Sequence, residues 1–326
     1  MRLPRRQFLH LAAGVAAVSA TSRMTKAQTY LVRRVRIVVP FSAGGATDVA
    51  ARILGEKLGA AWGKPVVVEN RAGGGGNIGA EAVARASPDG HTLLVNVSTH
   101  IINASLYQNL NYDPVKDFTP ITELVSLPLI LVVHPSVPAT TLADFVALAK
   151  AKPKRVTVAN PSIGTPSHLC AILLAQVAGI DVVHVTYKGA AQATTDVVGG
   201  HVMAMCNNAV NALPQVRAGT LRALAVASAR RLAEMPEVAT VAELGYPGFE
   251  ASAWFGLFAP ANVPRDITEK IYADTAQALK MPDVQRNLSA QGLSVVGSTP
   301  EEFAAFLSAE HDKWDKLIKN ADFRVD

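Results

Sequence analysis

Apolar stretches that end in Gly, Ser, Thr or Asn and open directly into helical patterns recur four times along this chain. They are PFSAGGATD (40–48), ENRAGGGGNIG (69–79), NPSIGTPSH (160–168) and YKGAAQATTD (187–196). A strand that leads straight into a helix is typical of right-handed βαβ crossovers. Each helix start carries unpaired N–H groups and a partial positive charge. Several such starts around one cleft would hold an anion without any cationic side chain.

Strand-like runs alternate with helical patterns along nearly the whole chain. The predicted strands are Val35–Pro40, Pro65–Glu69, His91–Val97, Leu129–His134, Arg155–Asn160, Val182–Tyr187, His201–Asn207, Leu221–Ser228 and Trp254–Pro260. This alternation predicts an α/β fold with mainly parallel sheets that are covered by helices on both faces. A chain of 326 residues is long enough for two such domains.

Two segments, Leu124–Pro128 and Tyr246–Ser252, are candidate hinges between the domains. A chain that crosses at both predicts a discontinuous first domain, residues 28–126 plus 251–326, and a continuous second domain, residues 127–250. Open α/β sheets bind ligands at the carboxyl ends of their strands. Two such domains facing each other would enclose a ligand in the cleft between them.

The first 27 residues have the pattern of an export signal. The paired Arg5 and Arg6 precede an apolar core from Leu9 to Ala20, and the small residue Ala27 ends the segment. The pattern is similar to the twin-arginine type. The alternative, an N-terminal membrane anchor, needs about 20 apolar residues where this core has about 12. We therefore expect cleavage near Ala27 and a mature protein in the periplasm.

The basic balance of the chain belongs to this leader. The sequence has 31 Lys and Arg against 26 Asp and Glu; residues 1–27 contain five of the basic residues and no acidic ones, which leaves 26 of each. A neutral mature chain without a Lys/Arg stripe predicts no nucleic-acid partner. No later stretch is long and apolar enough to cross a bilayer, so we expect a soluble protein.

Two cysteines, Cys170 and Cys206, fall on a predicted helix and at the end of a predicted strand. In an oxidising compartment two cysteines can form a disulfide. The alternative, which we favour, is a pair of buried free thiols.

The turn PFSAGGATD lets the backbone at Gly44 and Gly45 come close to a ligand. Thr47 and Asp48 can cap the helix that follows. The same pattern also fits a tight βα turn with an ordinary cap. It is neither a Rossmann fingerprint nor a phosphate loop, because GxGxxG and GK[ST] are absent.

The run Gly73–Gly76 fits a flexible loop that leads into a helix beginning at about Asn77. Arg71 beside it would either close over an anion or bridge to a neighbouring carboxylate. We favour the structural role for this segment.

The turn SIGTPSH suits a helix with Thr165 at the N-cap and Pro166 at the first helical position. The N–H groups of Ser167 and His168 then face the strand ends. These neighbours are not a nucleophile and its base, because adjacent residues cannot bond in that way and no GxSxG elbow exists. The histidines lack metal-ligand spacing, so we expect no catalytic residue, metal or cofactor. Asn207 offers a ligand both a donor and an acceptor, or else belongs to a helix cap.

Together these segments resemble the Bug-type receptors of tripartite tricarboxylate transport systems, a family of periplasmic solute-binding proteins. The resemblance is carried by IVVPFSAGGATD (37–48), PVVVENRAGGGGNIGAEAVARASPDGHTLL (65–94), LVVHPSVP (131–138), IGTPSHL (163–169), VHVTYKGAAQATTDVVGGHV (183–202), AGTLRALAVAS (218–228) and ASAWFGLFAPANVP (251–264). These pieces span almost the whole mature chain in the expected order.

The resemblance implies a two-domain clamshell that closes on a small carboxylate, held largely by backbone amides and ordered waters. It implies a membrane transporter or sensor component as the partner, and we expect a monomer. The candidate ligand-binding residues are Phe41, Ala43, Gly44, Gly45, Thr47, Asp48, Thr99, His100, Gly164, Thr165, Ser167, His168, Lys188, Gly189 and Asn207.

Two positions depart from the family pattern. Pro166 stands where the family commonly has a second Ser, which removes one N–H and one hydroxyl from the pocket wall. Asn207 stands where the family commonly has Asp, which would pair with the ammonium of an amino acid. We therefore expect a preference for carboxylates without an amino group.

The leading interpretation is a receptor with no chemistry of its own. The alternative is a periplasmic enzyme on the same scaffold, a carboxylate hydrolase or isomerase that uses His168 or Lys188. The sequence shows no general base held near a second polar group, which favours the receptor. A receptor that feeds a sensor instead of a transporter is a third possibility that the sequence leaves open.

Overall fold

The computed structural model describes residues 30–187 and 189–320. The predicted export signal, its cleavage near Ala27, and Lys188 lie outside the described residues. Within these two ranges, no helix combines the length and the apolar character that crossing a bilayer requires.

Helices and strands alternate through the described residues, as the sequence predicted. The strands are β1 Val35–Val39, β2 Val66–Asn70, β3 Thr92–Val97, β4 Phe118–Val133, β5 Thr157–Asn160, β6 Val183–Thr186, β7 Ala204–Asn208, β8 Arg222–Val226, β9 Ser252–Pro260 and β10 Ser294–Val295. The α-helices are α1 Ala46–Trp62, α2 Asn77–Ala84, α3 Thr99–Leu106, α4 Leu142–Ala151, α5 Pro166–Ala178, α6 Ala190–Val198, α7 Ala209–Arg217, α8 Arg265–Leu279, α9 Pro282–Ala290 and α10 Pro300–Asn320.

The strands are hydrogen-bonded in the order β2-β1-β3-β9-β4-β7-β5-β6, with β10 and β8 also paired to β4. We call β1–β3, β9 and β10 with α1–α3, α8 and α9 the first lobe, and β5–β8 with α4–α7 the second lobe. Strands β1, β2 and β3 are parallel, as are β5, β6 and β7. Strand β9 joins β3 antiparallel. The predicted α/β fold with helices on both faces is confirmed, and the sheet is mixed, because β4 pairs antiparallel with β7, β8, β9 and β10.

Strand β4 belongs to both lobes. Its residues up to Pro128 pair with β9 of the first lobe, and from Leu129 onward it pairs with β7 of the second. The sequence predicted only the part from Leu129, because proline cannot donate to a strand ladder and usually marks an edge or a bulge. The ladder accommodates Pro120 at a shift of register between Pro120 and Thr122.

Apolar side chains fill both faces of each lobe. In the first lobe one core lies under α1, α8 and α9, and the other lies under α2, α3 and the start of α10. In the second lobe one core lies under α4 and α5 and the other under α6 and α7. Burial of this apolar surface holds the helices on the sheet and fixes the direction in which the strand ends point.

The last helix, α10, connects the two lobes. It begins with a capping box: Thr299 N donates to Glu302 Oε2 over 2.8 Å, and Glu302 N donates to Thr299 Oγ1 over 3.2 Å. Phe303 near its start is buried in the first lobe. Trp314 and Leu317, three turns later, are buried in the second lobe. One continuous helix therefore packs on both sides of the crossing strands.

A buried carboxylate lies in the middle of this helix. Glu310 Oε2 accepts from the indole nitrogens of Trp254 and Trp314 over 3.1 and 2.9 Å. Lys313 forms an ion pair with Glu310, and its Nζ also donates to the carbonyl of Glu250 over 3.2 Å. Strand β9 and helix α10 are thus joined by polar contacts at the point where the lobes meet.

Glu123 on β4 lies near two other acidic residues. Burial, followed by the charges of Glu310 and Glu250, raises the pKa of Glu123 to about 7. We call Glu123, Glu250, Glu310 and Lys313 the crossover cluster, because they lie where β4, β9 and α10 pass between the lobes.

The two cysteines are free thiols, as expected, and both are buried. They lie in the core under α5. A hydrogen bond with Cys206, followed by burial, raises the pKa of the Cys170 thiol.

Candidate functional site

The turns that follow the parallel strands bring parts of the two lobes together. Gly164, in the turn after β5, has φ +73°, and a Cβ there would lie 2.5 Å from Leu106 Cδ2 on α3. Gly292 of the first lobe similarly lies against Val210 at the start of α7. A side chain at Gly164 would force the Leu106 side chain to move, and the positive φ by itself favours glycine there.

The carboxylate of Asp48 fixes the turn that follows β1 by hydrogen bonds. Asp48 Oδ2 accepts from Gly44 N over 2.9 Å, and Asp48 Oδ1 accepts from Asn70 Nδ2 over 2.9 Å. Asn70 Nδ2 also donates to Phe41 O over 3.0 Å. The hydrogen bond from Arg52 is the main cause that lowers the pKa of Asp48 to about 2. Asp48 therefore acts as a charged brace for the turn.

This arrangement differs from the expected capping. The N-cap of α1 is Gly45, without a side-chain cap, so Thr47 and Asp48 lie at the second and third helical positions. Because Gly44 N–H is bonded to Asp48, it is already satisfied inside the protein. The N–H groups of Ala46 and Thr47 have no partner within a helix at these positions. The same holds for Asp48 N–H, because the first intrahelical bond runs from Val49 N to Gly45 O.

The glycine-rich turn after β2 is positioned by α3. Asn103 Nδ2 donates to Gly75 O over 3.1 Å and to Asn77 Oδ1 over 2.7 Å. Tyr112 OH donates to the same Asn77 oxygen over 2.9 Å. Helix α2 begins at Asn77, as predicted. The turn is thus fastened by side chains, which agrees with the favoured structural role.

The arginines near these turns are paired with carboxylates. Arg52 binds Asp48 through two nitrogens, each at 3.0 Å. Arg71 pairs with Glu69, so the second of its two predicted roles, a bridge to a neighbouring carboxylate, is the observed one. Their charges are largely balanced within the protein, which leaves the helix starts as the positive features of the turns.

In the second lobe, Thr165 caps α5 as predicted. Its Oγ1 accepts from His168 N over 3.4 Å, and Pro166 occupies the first turn. Gly164 N donates to His168 Nδ1 over 3.2 Å, so the imidazole fastens the turn to the first turn of α5. Since Pro166 has no N–H and His168 N is bonded to Thr165, Ser167 N–H is the donor of the first turn that the helix itself leaves unsatisfied.

Two imidazoles lie next to each other under this turn. The rings of His168 and His184 have centroids 5.4 Å apart. Burial, followed by the charge of His184, lowers the pKa of His168 to about 4. Burial also lowers the pKa of His184. Both rings are therefore neutral near pH 7, where His168 Nδ1 can accept the Gly164 N–H.

We expect the turn to loosen in acid. A neutral His168 is favoured in the folded state, so its contribution to stability is complete above pH 6.5 and is lost as the pH falls toward about 4. Protonated Nδ1 cannot accept from Gly164. Thermal midpoints and ligand affinity should fall together over this range. The variant His168→Asn keeps an acceptor but does not titrate, and it should flatten the profile; an unchanged profile would contradict this role.

The ends of β5 and β7 carry two buried asparagines. Asn160 Nδ2 lies 3.0 Å from His184 Nδ1. Asn207 Nδ2 donates to Thr194 Oγ1 on α6 over 3.0 Å. Both residues are fully buried. Gly189 is the N-cap of α6, without a side-chain cap; its neighbour Lys188 lies outside the described residues.

The predicted pair Thr99 and His100 begins α3, and its two side chains differ in environment. The His100 ring packs against Phe118 and Phe258, with centroids 4.6 Å away in both cases. Burial lowers its pKa to about 4. Both phenylalanines also line a separate cavity of 440 Å³, and none of the predicted site residues that the structure describes lines it. The imidazole is thus part of the first-lobe core, while Thr99 remains at the strand end.

Four buried polar atoms at the strand ends have no hydrogen-bond partner among the described residues. They are Ser98 Oγ, Thr99 Oγ1, Asn160 Oδ1 and Asn207 Oδ1. They follow or end β3, β5 and β7. Buried polar groups are nearly always bonded, so such atoms mark a place where water or a ligand supplies the partner.

Sequence reasoning missed Ser98 and Asn160. Each stands at the end of an apolar run, which is the same signal that singled out Asn207. Applied uniformly, that signal would have included both.

Comparison with known proteins shows the family. Residues 50–323 match the family described as "Tripartite tricarboxylate transporter family receptor". The chain is 36% identical to Protein BugT of Bordetella pertussis over 305 residues, which are 93% of this chain and 94% of BugT.

Solved structures of similar receptors support the same family assignment. MatC (Rpa3494) from Rhodopseudomonas palustris with bound malate is 35% identical, with a TM-score of 0.74 over 88% of this chain and 99% of that one. R. palustris Rpa4515 with adipate is 32% identical, with a TM-score of 0.77 over 90% of this chain and 98% of that one. The expected resemblance is confirmed: this chain belongs to the tripartite tricarboxylate transporter receptor family, and it is a binding receptor, not an enzyme.

Proposed function

We propose that this protein captures a small carboxylate in the periplasm, closes around it, and delivers it to a membrane transporter. The observation that carries the proposal is the set of unpartnered polar atoms at the ends of β3, β5 and β7. Strand β3 is parallel to β1, and β7 is parallel to β5, so these atoms lie at the same edges of the sheet from which α1 and α5 begin. Related receptors with malate and adipate support a carboxylate as the ligand.

The negative charge of the ligand would be balanced mainly by helix starts. Helix α1 supplies the N–H groups of Ala46 and Thr47, and α5 supplies that of Ser167. Each helix start adds a partial positive charge. The nearby Arg52 and Arg71 are held by Asp48 and Glu69, so they are not the primary anchors. Ordered waters would complete the contacts to the hydroxyls of Ser98 and Thr99.

Closure would turn the lobes about the two crossing strands. On β4 the pairing partner changes between Pro128 and Leu129, and on the return strand Ala251 N still bonds to Ala227 of the second lobe. These positions lie close to the proposed boundaries, with residues 28–126 plus 251–326 in one domain and 127–250 in the other. A closed form would present a surface to the membrane partner that the open form lacks.

Calorimetry on the mature protein tests the proposal. The panel contains succinate, malate, adipate and aspartate. We expect at least one acid without an amino group to bind with a micromolar or lower Kd, and aspartate to bind more weakly, because neutral Asn207 cannot balance an ammonium. The variant Asn207→Asp should improve aspartate relative to malate.

Two outcomes would overturn the proposal. One is the absence of binding to any carboxylate of the panel by a folded, ligand-free protein. The other is a complex in which Lys or Arg side chains make most of the contacts to the carboxylate. Tight binding of aspartate alone would refute the predicted preference against amino acids.

A further inference from the structure

The amide of Asn207 is held in one orientation by its neighbour on α6. Thr194 Oγ1 donates to Ala190 O over 2.8 Å, so its single proton is used within the helix. Toward Asn207, the Thr194 oxygen can then only accept. It accepts from Asn207 Nδ2 over 3.0 Å. The nitrogen of the amide therefore faces α6, and the oxygen lies on the opposite side of the amide plane.

This oxygen has no partner. Asn207 is fully buried, and its Oδ1 is among the unbonded atoms of the described residues. The residue is next to last in β7, at the strand end from which the proposed site is built. A group that binds there must donate a hydrogen bond, because a carboxylate oxygen would meet a second acceptor.

The end of β5 repeats the arrangement. Asn160 Nδ2 lies 3.0 Å from His184 Nδ1 and 3.4 Å from Val158 O, so its nitrogen too is turned inward. Its Oδ1 is likewise buried and unbonded. Two neighbouring parallel strands of the second lobe thus end in neutral amide acceptors.

We propose that Thr194 is a positioning residue that presents Asn207 Oδ1 as an acceptor and thereby selects carboxylates that carry a hydroxyl group. This inference rests on the proposed function and narrows the class of ligand from small carboxylates to hydroxycarboxylates. A hydroxyl donates one hydrogen bond and brings no charge, which matches a neutral amide. An ammonium would also donate, but it would lose hydration without meeting an opposite charge.

The test compares pairs of acids that differ by one hydroxyl. Calorimetry on the mature protein would use malate against succinate, 2-hydroxyglutarate against glutarate, and lactate against propionate. For the pair that fits the cleft, we expect the hydroxy acid to bind about tenfold tighter or more, because its partner leaves a buried acceptor unpaired.

Two variants separate positioning from folding. Thr194→Val removes the hydroxyl at nearly constant volume, frees the Asn207 amide to turn, and should bring the affinity ratio of the pair close to one. Thr194→Ser keeps the hydroxyl and should restore the ratio. Thermal midpoints of both variants serve as the control, since a purely structural role would lower affinity for both acids of a pair equally.

The outcomes are distinct. Equal binding of hydroxy and deoxy acids by the natural protein, or an unchanged ratio in Thr194→Val, overturns the inference while the carboxylate receptor stands. Equal binding is also what a bridging water on Asn207 would give. Failure of all six acids and of adipate to bind would remove both the inference and the proposed function.

Discussion

Replacing Ala46 with proline is expected to weaken carboxylate binding by about tenfold to a hundredfold without lowering stability. Proline removes only the N–H at the first position of α1, where no intrahelical partner exists. The preceding Gly45 already has φ −76° and ψ 165°, a conformation that suits a residue before proline. A hydrogen bond to a charged group contributes about 1.5–3 kcal/mol, which sets the expected loss.

The matched control is Ala46→Ser. It keeps the N–H and adds a small side chain at an exposed position, so affinity should stay within about threefold of the natural protein. Calorimetry gives the affinities, and thermal unfolding without ligand gives the stabilities. An Ala46→Pro protein that is folded and binds as tightly as Ala46→Ser would contradict the view that main-chain donors of α1 hold the ligand.

Replacing Glu310 with alanine is expected to lower the free energy of unfolding by about 3–5 kcal/mol. The change leaves the indole N–H groups of Trp254 and Trp314 without their acceptor and Lys313 without its ion pair. Both indoles are buried, and a buried donor left without an acceptor costs about 1–3 kcal/mol, so two of them account for most of the expected loss. Urea unfolding followed by circular dichroism measures the loss.

Two controls keep this prediction specific. Asp312→Ala changes an exposed acid two residues away on the same helix and should cost less than about 0.5 kcal/mol. Glu310→Gln keeps one acceptor oxygen and should cost less than Glu310→Ala. A loss below about 1 kcal/mol for Glu310→Ala would mean that the crossover cluster contributes little to stability.

The pH dependence gives a second measure of the same cluster. Glu123 is protonated more readily in the folded than in the unfolded protein, because its pKa is raised from 4.5 to about 7. Its contribution to stability is therefore present below pH 4.5 and lost as the pH rises through about 7. Removing the charge of Glu310 should lower the pKa of Glu123 and reduce that loss. An unchanged pH profile in Glu310→Gln would contradict the coupling.

Local signals in the sequence predicted local structure well. Thr165 and Pro166 begin their helix as expected, because a cap depends on residues three positions apart along the chain. The alternation of strands and helices likewise followed from local apolar patterns. The family followed from several such motifs in a fixed order.

Structural features that depend on contacts between distant residues could not be predicted from the sequence. The first part of β4 was not predicted, because it contains prolines. It is held in the sheet by pairing with β9, which lies more than a hundred residues later in the chain. Asp48 was expected to cap α1, yet it is the third helical residue, and its carboxylate accepts from Asn70, 22 residues away along the chain. The orientation of the Asn207 amide depends on Thr194, whose hydroxyl donates to Ala190 O. This dependence cannot be predicted without the packing of α6 against β7, which brings Thr194 to Asn207.

The position of α10 has a consequence for measuring the motion of this protein. The chain has three tryptophans. Trp254 and Trp314 share one carboxylate at the crossing between the lobes, whereas Trp62 is tied to Asp274 within the first lobe over 2.6 Å. A rotation between the lobes would alter the surroundings of two indoles and leave the third as an internal reference. Intrinsic fluorescence would then follow capture and release in real time, without an attached dye.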